Sequence, residues 1–400
     1  MCKIERILYP VGHGAFFVEK ILGCVIVYDC GSRNHEILSK QIKSAFSNGE
    51  VIDALFISHF DTDHVNGIIE LEEYMTPNTK VYLPFYYSNL TILYSQDVQI
   101  AIKLVKVTLD KKGIRPIQIK YGPLQEFRGY RRDDINNRNR DDDNIGEPHE
   151  DEDGNLIIES GTRIPLPHIG GNKIKLTYPF WEYVPFMIHD DQKIFEAFKK
   201  EALAKGLDLN HLDKLTSKQI NDLRKIYHQH EVFQHTINEN TMILLSHATR
   251  CFPRHWFYID LQINQNCYFQ CDCRCLPYYC NCRFCFCDGS CLYTGDSVLK
   301  RSSRLTAKQC DYDIFLDRLR NYTPKILLYQ IPHHGSCNNS NLLSLSDNMS
   351  EMMFCNYSAK EDSQYKTFII DKAKSKVLKK IFDVTENPKS KLTMEITIKP

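Results

Sequence analysis

Hydrophobic and polar positions alternate between two periods along this chain. CVIVYDCGS (Cys24–Ser32) is an almost unbroken β-branched and apolar run, interrupted at Gly31, and predicts a buried strand. In HEILSKQIKSAFSNG (His35–Gly49), Ile37, Ile42 and Phe46 recur at helical spacing, with Gly49 as the C-cap. VIDALFISH then returns to strand character, and this strand, helix, strand order predicts an α/β layered core. Farther on, TMILLSH, CLYTGD and KILLYQIP read as strands. Helical patterning over 190–233, with Thr216 and Gln219 at capping-box spacing, predicts two helices inserted between strands. Residues 128–155 are polar, nearly without aliphatics, and shift from basic to acidic, which predicts a solvated loop insertion without a chemical role.

With 400 residues, 42% of them hydrophobic, the chain can bury a large core, and we expect one domain over 1–400. Fifty Lys and Arg balance fifty Asp and Glu, so no global field draws the protein onto nucleic acid or anionic lipid. The clear basic run is local: Lys366–Lys391 holds eight lysines against three acids, and AKSKVLKKIF within it has helical spacing. Such a helix either faces phosphates or presents a solvated face, the plainer alternative. The opening MCKIERILYPVGHG has no apolar signal core, and no apolar stretch approaches the roughly 18 residues of a membrane span. The expectation is a cytoplasmic protein without membrane contact.

Sixteen cysteines change the picture in one place, because nine fall between Cys267 and Cys291. Without a secretory signal, metal is a better explanation than disulfides. Cys271, Cys273, Cys275, Cys280, Cys282, Cys285 and Cys287 combine C-x-C and C-x-x-C spacings that can gather thiolates around a structural zinc ion. A zinc-knit protrusion over 267–291, near the mouth of the site and open to a protein partner, is the expectation; an extended loop of free or paired thiols is the alternative.

The sharpest chemical signal is ISHFDTDHVNG (Ile57–Gly67), which puts His59, Asp61, Asp63 and His64 at the end of a strand. A turn there points successive side chains into one small volume, where metal ions neutralise the charge. A polar turn facing water is the alternative, and three further fragments argue against it.

SHFDTDHVNG resembles the second motif of the metallo-β-lactamase fold, of general form His-x-His-x-Asp-His, with Asp61 in place of the second histidine. VIVYDCGS resembles that fold's first motif through Asp29, which the resemblance makes a support of the metal-binding loop. LYTGDS resembles the fourth through Asp296, implied to bridge two metals, and IPHHGS the last through His333 and His334. PVGHGAFF, Asp61, NENTMILL and PHHGS together resemble, more narrowly, the cytoplasmic hydrolase domain of ComEC-type DNA-uptake competence proteins and their soluble relatives. His13 stands where those relatives have glutamine, a difference in a glycine-flanked turn that we expect to matter little. The third-motif histidine falls near Asn240, a poor imidazole replacement; His235 and His247 are weak substitutes.

The resemblance implies a four-layered αββα sandwich and a metal-dependent hydrolase. Its first ion would take His59 and Asp61 with a weak third ligand, its second Asp63, His64, Asp296 and His333 or His334. Asp63, His64, Asp296 and His334 are the expected catalytic set. Two divalent cations about 3.5–4 Å apart can activate water against a phosphodiester, and Asp61 in place of imidazole moves preference from zinc towards manganese. The expected activity is therefore phosphodiester hydrolysis, with single-stranded nucleic acid as a candidate substrate. Hydrolysis of a thioester, lactone or small cyclic phosphodiester is one alternative, and a non-enzymatic binding module is the other.

Overall fold

The apolar run at Cys24–Ser32 becomes a strand buried along its whole length. It achieves this by lying in the interior of one sheet, with helices on one side and a second sheet on the other. The structure, a computed structural model, describes residues 2–86, 88–121, 147–173, 181–187, 191–229, 241–248, 256–263, 266–273, 289–297, 315, 319, 322–323, 326–336, 350–357 and 380–399.

In chain order the strands are β1 (Cys2–Leu8), β2 (Gly14–Ile21), β3 (Cys24–Ser32), β4 (Ala54–Phe56), β5 (Lys80–Pro84), β6 (Ile117–Lys120), β7 (His149–Glu150), β8 (Leu156–Glu159) and β9 (Ile164–Pro165). They continue as β10 (Trp181–Phe186), β11 (Ile243–Ala248), β12 (Trp256–Ile263), β13 (Asn266–Cys273), β14 (Cys291–Tyr293), β15 (Ile326–Gln330), β16 (Ser350–Asn356), β17 (Lys380–Val384) and β18 (Leu392–Lys399). The first sheet runs β13-β12-β18-β1-β2-β3-β4-β5-β6-β8-β7, and the second β17-β16-β15-β14-β11-β10-β9. Both are mixed: β3, β4, β5, β6 and β8 are parallel in the first, β14 to β17 in the second.

The two sheets meet through aromatic side chains. Phe17 and Tyr28 stack on Tyr293 at 5.7 and 5.0 Å between ring centres, and Phe56 on Tyr183 at 5.7 Å. Helices α1 (His35–Ala45), α2 (Thr62–Val65), α3 (Ile68–Leu71) and α4 (Gln96–Lys112) cover the other face of the first sheet with Leu38, Val65, Leu71 and Val105. Phe315, Leu319 and Tyr322, all helical, pack on Val184, Leu245 and Tyr329 across the outer face of the second. The result is an α/β sandwich of αββα type, as the sequence predicts. After α5 (Leu166–Gly170), helices α6 (Asp191–Ala204) and α7 (Ser217–Gln229) form a satellite core with Leu90 and Leu93. The capping box is in place, with the Gln219 backbone N–H donating to Thr216 Oγ1 (3.3 Å) and the Thr216 N–H to Gln219 Oε1 (2.9 Å).

One polar network crosses the inter-sheet core. Arg6 on β1 donates to Glu19 on β2 (2.7 Å), and Glu19 also accepts from Tyr183 (2.8 Å), Ser246 (2.7 Å) and Tyr293 (2.7 Å) of the second sheet. Every bond ties a charge to a partner, which is what makes burial of the pair tolerable.

Several local expectations change. The strand within VIDALFISH is only Ala54–Phe56. Helix α1 stops at Ala45, because extended Phe46 stacks on Tyr74 at 4.4 Å; Gly49 lies in the following turn. In the polar stretch, residues 149–150 pair with β8 as an edge strand, and Asp151 Oδ1 accepts from the N–H groups of Asp153 and Asn155 in the connecting turn. That end is therefore a hairpin, while 128–146 lie outside the described residues. The helical spacing in AKSKVLKKIF fails at its end: Lys380, Ile381 and Phe382 belong to β17, paired in parallel with β16, and the rest of that stretch is outside the described residues. Cys271 and Cys273 lie on β13, which forms a hairpin with β12; Cys275, Cys280, Cys282, Cys285 and Cys287 are outside the described residues.

Candidate metal centre

The site is assembled where strand ends of both sheets meet. The first sheet supplies Asp29 from β3, His13 from the turn between β1 and β2, and the segment His59–His64 after β4. The second supplies Asp296 after β14 and His333 and His334 after β15.

Asp29 organises the first half. Its Oδ1 accepts from the Ser58 backbone N–H (2.6 Å), and its Oδ2 from Ser58 Oγ (2.7 Å) and His64 Nδ1 (2.9 Å). Ser58 Oγ lies 2.8 Å from His59 Nδ1, and His334 Nδ1 donates to the Asn356 carbonyl at 2.9 Å. A carbonyl or carboxylate can only accept, so His64 and His334 carry their proton on Nδ1 and turn Nε2 inward. The same hydrogen-bonded orientation is what a metal-ligating imidazole needs.

The inward atoms test whether cations fit. Nε2 of His59, His64 and His334 is buried and makes no well-formed hydrogen bond among the described residues. These three nitrogens face carboxylate oxygens at 3.2–3.9 Å without good hydrogen-bond geometry, and divalent ions held among them would satisfy nitrogen and oxygen donors together. Donor atoms fall into two groups, each within 4.8 Å: His59, His64 and Asp296; and His13, Asp63 and His334. Asp296 joins them. Its Oδ1 is 3.2 Å from His64 Nε2 and 3.6 Å from His334 Nε2, while Oδ2 is 3.7 Å from His333 Nε2 and 3.9 Å from His59 Nε2.

Asp61 Oδ2 lies 3.5 Å from His59 Nε2, at the more exposed edge of the first group. His333 is 31% exposed where His334 is 4%, so the pair divides into an outer and an inner imidazole. His64 stands between the two groups: its donor atom is within 4.8 Å of those of His59 and Asp296, and its ring also lowers the neighbouring Asp63 carboxyl. Its bond to Asp29 holds the ring at β3. Asn240 and His235 lie outside the described residues. His247 is elsewhere on the second sheet, 3.0 Å from Glu182, which also pairs with Arg163 at 2.7 Å.

Backbone geometry concentrates at the same place. Among the described residues, Leu22, Asp29, His333 and His334 are the non-glycines at positive φ, and three of these four build the centre. Each such residue costs of order 1–3 kcal/mol, so the surrounding fold holds these side chains against local preference. Gly31 is required for a different reason: a Cβ there would run into the backbone of Asp63 and His64.

Charge is matched throughout. Burial by itself would raise the Asp296 carboxyl, yet the imidazoles of His334, His64 and His59 hold it well below the carboxylate range. Asp63 is lowered against burial by His64 and His334, and Asp61 by His59. Burial works against charge on His64, but Asp296 and Asp29 push it well above the usual imidazole range, so an ion taken up at its Nε2 would displace a proton there.

Sequence reasoning missed Ser58, Asn356 and the place of His13. His13 Nε2 is 3.2 Å from Asp63 Oδ2, and its ring centre is 4.1 Å from that of His334. The GHG triplet, a histidine in a glycine turn just before the first motif, was the available signal.

Residues 9–172 match the family model described as the metallo-beta-lactamase superfamily. No curated protein matches the chain. The matched span contains Asp29 and the segment His59–His64, whereas Asp296 and the histidine pair come from the second sheet beyond it.

Proposed function

We propose that this protein is a metal-dependent phosphodiesterase acting on single-stranded nucleic acid. The observation that carries it is Asp296, a buried carboxylate whose two oxygens lie 3.2–3.9 Å from the imidazoles of His64, His334, His333 and His59 and so touch both donor groups. When bound there, a pair of divalent cations supplies Lewis-acid polarisation of the phosphoryl group and activation of water.

The chain's own residues supply the rest. Arg33 is 58% exposed, with Nε 3.7 Å from Asp63 Oδ2, and offers a cation to a phosphate oxygen entering from solvent. His333, the outer imidazole, can donate a proton to the leaving oxygen. Asp61 adds a hard oxygen donor that favours manganese as well as zinc. The motif resemblance to ComEC-type hydrolase domains supports nucleic acid over a thioester or lactone.

The test is direct. With Mn2+ or Zn2+, the purified protein should cleave bis(p-nitrophenyl) phosphate and, faster, single-stranded DNA or RNA. The Asp63→Ala/His64→Ala variant should do neither. Cleavage of the aryl ester alone, at every salt concentration, would point to a small phosphodiester. Hydrolysis of a thioester with no phosphodiester turnover would overturn the proposal.

A further inference from the structure

We propose that His13 is itself a metal ligand, joining Asp63 and His334 around the second ion. This rests on reading the site as a metal centre. The geometry on which it stands is independent of which substrate is cleaved.

Three contacts deliver the ring. The His13 carbonyl accepts from the Arg33 backbone N–H at 2.9 Å, tying the turn to the end of β3. Asn356 Nδ2 donates to the Gly14 carbonyl, tying the same turn to β16 of the other sheet. Gly14 then lies so close to Ser32 and Asp63 that a Cβ would sit 2.6 Å from Ser32 Cα and 2.8 Å from the Asp63 carbonyl oxygen. The backbone at His13 therefore has one place to go, and its side chain, only 11% exposed, is directed at Asp63 and His334.

The donor set argues the same way. Donor atoms of His13, Asp63 and His334 lie within 4.8 Å of one another, so His13 closes a three-residue set that Asp63 and His334 leave open. Asn356 couples the two inner ligands, since its carbonyl accepts from His334 Nδ1 and its amide holds Gly14. Glutamine at position 13 would present a neutral amide oxygen, a weaker donor for a borderline metal such as cobalt or zinc.

The experiment uses the full chain, stripped with chelator and titrated with Co2+. Visible d–d bands report nitrogen and oxygen sites, and near-ultraviolet thiolate charge transfer separates any ion bound at the cysteines. The wild type should take up two ions outside the thiolates. In His13→Gln one of them should weaken by at least about 10-fold, the lower end of what even supporting residues contribute, and the other should not. Proton NMR of the cobalt protein should show a hyperfine-shifted ring N–H for His13 in the wild type and one fewer such signal in the variant. His13→Asn, with its urea midpoint measured beside the wild type, repeats the test should glutamine perturb folding. Unchanged affinity for both ions, or a wild-type His13 resonance at its diamagnetic position, would overturn the assignment and leave the metal centre standing. Failure of the wild type to bind any Co2+ outside the thiolates would overturn both.

Discussion

Replacing Glu19 by glutamine should remove a large part of the fold's stability without touching the metal centre. Glu19 accepts four hydrogen bonds at 2.7–2.8 Å, one from Arg6 and three from hydroxyls of the facing sheet. Both Arg6 and Glu19 are fully enclosed, at 0% and 3% exposure. Glutamine keeps the shape but leaves a buried guanidinium without its counter-charge and aims an N–H2 group at donors. Breaking a buried pair in this way costs about 3–5 kcal/mol, against a total stability of about 5–15 kcal/mol for a typical protein. Equilibrium urea unfolding followed by circular dichroism would measure it. The double variant Arg6→Met/Glu19→Met should lose less than Glu19→Gln, because no charge remains to be paired. A loss below about 1 kcal/mol for Glu19→Gln, or a double variant worse than the single, would refute the claim that this pair is held by mutual neutralisation.

Asp296→Asn should lower phosphodiester turnover by at least about 100-fold, as loss of a key electrostatic group does, whereas His247→Ala, remote from the centre, should change it only a few-fold; equal losses would contradict the placement of His247 beside Glu182. Burial opposes ionisation of Glu182, but His247 and Arg163 lower its pKa below the ordinary 4.5, so its contribution to stability is present above that pH and is lost as pH falls through the folded value. A urea midpoint measured from pH 7 to pH 3 should accordingly fall less steeply in Glu182→Gln than in the wild type. Gly31→Ala should displace the Asp63–His64 backbone and abolish uptake of active-site ions, readable by elemental analysis. Changing Cys280, Cys282, Cys285 and Cys287 together to serine should remove zinc beyond the active-site pair, and an unchanged metal content would sink the idea of a structural zinc.

Legibility from sequence followed distance along the chain. His59, Asp61, Asp63 and His64 could be found together because one turn carries them all, and β3 and β15 because both are largely apolar runs, buried from end to end. The pairing of His64 with Asp29 is set by tertiary packing across 35 residues, and no spacing rule contains it. Asn356 reaches Gly14 across 342 residues, which hides the role of His13 in the same way. Lys380–Phe382 shows the opposite failure, where a local helical period is overruled by a neighbouring strand offering hydrogen bonds. β18 escaped notice although LTMEITIK alternates, with Leu392, Met394 and Ile396 inward.

Because the donors come from both sheets, bound cations would act as a rivet through the sandwich. His59 and Asp63 belong to one half and Asp296 and His334 to the other, so the halves cannot slide past each other without stretching coordination bonds. Occupancy should then be felt mechanically as well as chemically. Amide hydrogen exchange at the ends of β3 and β15 that border the site should slow together when metal is added, and quicken together when it is chelated.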